Sequence, residues 1–66
     1  MDLAESVRVG LAKKHKSQKW LAGELGVSVQ FVSFLCTGRK TPSVSMISVI
    51  AEVFEVSVSE FIKWGE

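Results

Sequence analysis

Residues 18–37 read QKWLAGELGVSVQFVSFLCT, and their pattern decides the fold. Leu21, Ala22 and Leu25 fall at i, i+1 and i+4, one apolar face of a short helix. Gly26 follows at the point where a helix ends on a left-handed residue, a backbone that glycine adopts without a Cβ penalty. Val27 is placed to plug the corner. Ser28 is a good N-cap, because its hydroxyl can accept from a free amide in the next turn. Val32 and Leu35 then form the inner face of a second helix. Helix, glycine turn and helix over residues 17–37 make a helix-turn-helix pattern.

On the N-terminal side, Leu3, Val7 and Leu11 recur at i, i+4 and i+8, predicting a first helix over residues 2–14. Asp2 and Glu5 sit at its positive end, and Lys13 and Lys14 at its negative end, as the macrodipole favours. Gly10 costs about 0.8–1 kcal/mol against alanine in a helix interior, and it offers room for close packing. Ser17 is the expected cap of the second helix. On the C-terminal side, TGRKTP over residues 37–42 is a turn cluster in which Gly38 ends the third helix. Ser43 caps a fourth helix over residues 44–54, with Ile47, Ile50, Ala51 and Phe54 facing the core. Met46, Val49 and Val53 form a second apolar stripe, either covered by the chain termini or presented to a partner. Ser57 and Glu60 read as a capping box opening a fifth helix, with Val58, Phe61 and Ile62 inward. Trp64 is too apolar to leave in water and is expected to pack.

Sixty-six residues allow one domain, residues 1–66. A domain of this size buries only about 60% of its unfolded surface. One cysteine and one histidine supply neither an internal disulfide nor a metal site, so the 47% apolar content must carry stability. Cys36 alone suits a reducing cytosol. The opening MDLAES has neither basic leader nor apolar run, so no signal peptide is expected. No apolar run approaches the roughly 18 residues that span a bilayer, and a soluble, cytoplasmic chain is expected. The net charge of +1 divides unevenly. Residues 1–40 hold seven cations against three anions, and residues 41–66 hold one against four. A basic N-terminal part suits a polyanion. In Lys13-Lys14-His15-Lys16, the cations are either solvated or close to phosphates, and His15 is an exposed loop residue. No nucleophile–base pair, carboxylate pair or phosphate loop is identifiable. Enzyme activity, a cofactor and a small-molecule substrate are therefore not expected.

Gln18, Leu21, Ala22, Leu25, Gly26, Val27, Ser28, Val32, Ser33, Gly38, Pro42 and Ser43 stand at spacings that resemble the Cro/repressor-type helix-turn-helix family of phage and bacterial transcriptional regulators. Ile50, Ala51, Val56 and Ser57 extend the resemblance, which covers residues 3–62. It implies an all-α, five-helix lambda-repressor-like domain with the helix-turn-helix at helices 2–3. It also implies groove-facing roles for Val29, Gln30, Ser33 and Phe34. The Gln30 amide can pair bidentately with adenine, and Val29 and Phe34 can touch a thymine methyl. Phe34 is either a base contact or a core residue. Phosphate contacts are implied for Gln18, Lys19, Ser28, Thr37, Arg39 and Lys40. Gln18 is also in reach of Gln30, and Ser28 doubles as an N-cap.

Three departures from the family stand out. Its ion pair between an Arg on the first helix and a Glu late in the recognition helix becomes Leu11 and Cys36, expected to touch as an apolar replacement. Glu55 takes a left-handed cap position usually held by Gly or Asn, at about 1 kcal/mol. Trp20 replaces a charged residue and covers either a backbone sugar or the first helix. The expected function is sequence-specific binding of double-stranded DNA by a Cro-like repressor. Such a repressor acts as a homodimer on a two-fold operator, in a bacterial cytoplasm, phage- or prophage-encoded. Val44, Val58 and Trp64 are the expected dimer contacts. Full-length repressors of the family add a C-terminal domain, for which no length is expected here. The alternative is an antirepressor or antitoxin-type protein-binding module, using Phe34 or the Met46, Val49, Val53 stripe.

Overall fold

All 66 residues are described by the computed structural model. Its elements are α1 (Leu3–Lys14), α2 (Gln18–Leu25), α3 (Val29–Thr37), α4 (Val44–Val53) and α5 (Val58–Lys63). Each helix begins where the sequence supplies a cap. Asp2, Ser17, Ser28, Ser43 and Ser57 have extended backbones, and each side chain accepts from the amide three residues on, at 3.0–3.2 Å. Each bond satisfies a donor the helix leaves free, and losing one costs about 1 kcal/mol.

The helix ends are equally local in origin. Gly26 and Gly38 take φ values of 70° and 81°, the left-handed caps that stop α2 and α3. His15 and Glu55 adopt the same conformation without glycine, at φ 54° and 63°. At Glu55 the strain coincides with an ion pair, the Lys14 ammonium donating to its carboxylate at 2.5 Å. The hydrogen bond and charge of Lys14 hold that carboxyl below its usual range. The pair ties the end of α1 to the end of α4.

α1 packs on α3 and α5, α2 on α3 and α4, and α4 on α5. The residues they enclose are Val7 and Leu11 from α1, Leu21 and Ala22 from α2, and Val32, Leu35 and Cys36 from α3. Ile50, Ala51, Phe54 and Phe61 complete the cluster. Phe54 is its aromatic hub. Its ring centroid lies 6.3 Å from that of Trp20, 6.2 Å from Phe61 and 6.0 Å from Trp64. Trp20 packs on Phe54 and remains half-buried. Trp64 also meets Phe61 at 6.0 Å.

Gly10 is what lets α1 approach that hub. A Cβ built there would lie 2.5 Å from the Phe54 ring. Gly10→Ala gains about 0.8–1 kcal/mol of helix propensity, but overpacking a fixed core typically costs about 1–3 kcal/mol. The expected result is net destabilisation, read as a lower urea midpoint; a raised midpoint would show that Phe54 yields easily.

α4 ends at Val53 with Phe54 as its cap, within one residue of the expected end. Two expectations are corrected. Val58 does not face the core; it is 38% exposed, since in the six-residue α5 the fully buried anchor is Phe61, one turn later. The capping box closes on one side only. Ser57 accepts from the Glu60 amide, but the Glu60 carboxylate turns to the Trp64 indole N–H at 3.0 Å. The chain termini meet each other, the Asp2 amide donating to the Gly65 carbonyl at 3.0 Å. Met46 and Val53 are half-buried against the core, while Val49 stays exposed.

Candidate nucleic-acid interface

The axes of α2 and α3 turn through 114° at the Gly26 corner, within the range of about 90–120° typical of helix-turn-helix pairs. Val27 is half-buried in that corner, and Leu21, Ala22, Val32 and Leu35 lock the pair from beneath. Burying Val32 and Leu35 fixes which face of α3 turns outward. Val29 is 46% exposed and Gln30 is exposed. Ser33 and Phe34 are half-buried.

Phe34 is half-buried, with part of its ring still open to solvent. The Arg39 guanidinium stands over its ring, 5.8 Å from the centroid. Such a stack holds the cation beside the ring and shields part of it from water. The backbone reinforces this placement, because the Lys40 amide donates to the Phe34 carbonyl at 3.2 Å. The loop carrying Arg39 and Lys40 is thus bonded back onto the end of α3, and both residues are exposed.

The remaining polar residues differ in what they have left to offer. Ser28 accepts from the Phe31 amide at 3.0 Å, which leaves its hydroxyl proton available to another acceptor. Thr37 is exposed, but its hydroxyl donates back to the Ser33 carbonyl at 3.0 Å and contacts that of Phe34 at 3.4 Å. A phosphate would have to draw that proton away. Lys19 is exposed and Gln18 half-buried at the start of α2. No side-chain hydrogen bond joins Gln18 to Gln30.

Sequence reasoning missed how α1 holds this unit. Arg8 donates through Nη1 to the Cys36 carbonyl, near the C-terminal end of α3. A cation there satisfies a carbonyl and complements the negative helix end. Arg8 precedes Leu11 by one helical turn, so the position expected to bridge α1 and α3 is apolar while its neighbour supplies the cation. Leu11 and Cys36 both belong to the buried cluster. Burial pushes the Cys36 thiol above its ordinary range, with Arg8 as a smaller opposing influence.

Of the expected dimer contacts, Val44 is 82% exposed, the most open large apolar side chain in the molecule. Val58 is partly open, and Trp64 is half-buried with the Lys13 ammonium 5.7 Å above its ring. No single helix is long and apolar enough to cross a membrane.

A family model described as "Helix-turn-helix", of the Cro/C1 type, matches residues 7–61. That range runs from the core residue Val7 of α1 to the core residue Phe61 of α5. No curated protein matches the chain closely enough to count as a relative.

Proposed function

We propose that this chain, which belongs to the Cro/C1-type helix-turn-helix family of DNA-binding transcriptional regulators, is a Cro-like repressor that reads a two-fold operator. The observation that carries the reading is the outer face of α3, with Val29 and Gln30 open to solvent and Arg39 and Lys40 bonded in beside it. Inserted in a major groove, Gln30 would pair with an adenine edge and Val29 would meet a thymine methyl. Ser33 and the free edge of Phe34 would lie against neighbouring bases. Gln18, Lys19, Ser28, Thr37, Arg39 and Lys40 would contact phosphates on either side and set the register.

One short recognition helix reads few base pairs, so two copies would act together, with half-sites about 34–36 Å apart. Val44 and Val58, both exposed, would form that contact, with Trp64 adding its outer edge. The setting is the cytoplasm of a bacterium, whether the gene is the host's or a phage's, and repression would follow from blocking polymerase at the bound promoter. Selection from random duplex DNA tests the reading. Enrichment of an inverted repeat with that spacing is expected; recovery of no preferred sequence would overturn it.

Arg39 and Gln30 are expected to fail differently. Arg39→Ala should weaken binding to all sequences alike and lower the slope of log affinity against log salt by about 0.9, one released counterion. A loss confined to particular bases would place Arg39 in the groove instead of on the backbone.

A further inference from the structure

A groove of about 620 Å³ runs between α2 and α4, lined by Trp20, Glu24, Val49, Glu52, Val53 and Glu55. None of these residues lies on α3, so the groove is separate from the face assigned to DNA. Its floor is apolar: Trp20 and Val53 are half-buried, and Val49 is 46% exposed. Its rim carries three carboxylates. Lys14 pairs with Glu55, and Lys16 stands 5.6 Å over the Trp20 ring. Glu24 and Glu52 have no cation within ion-pairing distance and are exposed.

We infer that this groove docks a cationic, amphipathic helix of a partner protein, apolar side chains on Trp20, Val49 and Val53 and Lys or Arg against Glu24 and Glu52. Charge complementarity selects the occupant. Nucleic acid and anionic lipid are repelled by the unpaired carboxylates, and an uncharged helix would leave them without partners at a closing interface. An amphipathic helix laid in an apolar groove brings side chains at i, i+3 and i+4 to one floor. Val49, the one member of the second apolar stripe of α4 that does not pack against the core, thereby gains a use. Because the groove and the α3 face share no residue, a DNA-bound copy could hold its partner at the same time.

The test titrates the isotope-labelled protein with a synthetic helical peptide of leucine and lysine. Two controls accompany it, one with glutamate replacing lysine and one with serine replacing leucine. The expected result is amide shifts at Trp20, Val49 and Val53 with the leucine–lysine peptide, and much weaker binding of both controls. The double substitution Glu24→Gln and Glu52→Gln should weaken the peptide about five-fold, the scale of exposed ion pairs, and Val49→Ser should weaken it comparably. All three positions are on the surface, so circular dichroism should be unchanged, and so should binding to the selected duplex. Equal binding of the glutamate peptide, shifts scattered over the surface, or indifference to the substitutions would overturn the proposal. So would concentration-dependent shifts at the groove without peptide, which would make the occupant a second copy. Loss of DNA binding with peptide binding retained would count against the repressor reading and leave the groove assignment standing.

Discussion

Replacing Phe54 by alanine is expected to abolish the folded domain at room temperature or bring it close to unfolding. Phe54 is 1% exposed, and three further aromatic rings are arranged around it, from α2, α5 and the C-terminal residues. Truncating a buried Phe typically costs about 3–5 kcal/mol. At about 0.05–0.15 kcal/mol per residue, a chain of this length holds roughly 3–10 kcal/mol in total. The cavity would also release Trp20 and Trp64 from their common partner, so tryptophan fluorescence and helical dichroism should be lost together. A variant that keeps a cooperative transition near that of the parent would mean that the hub is redundant. Phe54→Leu, which refills most of the volume, should recover much of the loss.

The second large effect concerns recognition. Gln30→Ala removes an exposed amide from α3 that no intramolecular hydrogen bond employs, so the fold should be untouched. Against the operator, the loss should be about 1–3 kcal/mol of discrimination at a single base step, up to roughly a hundredfold. The comparison needed is affinity for the selected operator and for single-base variants of it. The parent should distinguish them at one position where the variant does not. If the two proteins rank the variants identically, Gln30 reads no base.

Much of the architecture was legible because it is written locally. Ser17, Ser28, Ser43 and Ser57 cap the helices that the apolar spacing outlines, and Gly26 and Gly38 end them, since each needs only its own neighbours in sequence. Inward faces such as Leu21, Val32, Leu35 and Ile50 follow from helical periodicity. What escaped depends on partners distant in the chain. Trp20 finds Phe54, and Arg8 finds the carbonyl of Cys36, neither of which a local pattern can announce. Glu60 had two donors within a turn, and choosing the Trp64 indole over the Ser57 amide depends on where Trp64 packs. Val58 obeys the inward spacing but stands in the first turn of a helix too short to bury it. At the candidate interface, the outward residues of α3 were readable from the buried ones. The Arg39 stack on Phe34 was not, because a long side chain's orientation leaves no trace in spacing.

The central claim is that the outer face of α3 enters DNA, and amide shifts of the labelled protein titrated with its selected duplex test it most directly. The account predicts the largest changes at Val29, Gln30 and Ser33, with Gln18, Arg39 and Lys40 following, and their disappearance as salt is raised. Changes confined to α4 and α5 with α3 undisturbed, or binding indifferent to salt, would contradict it.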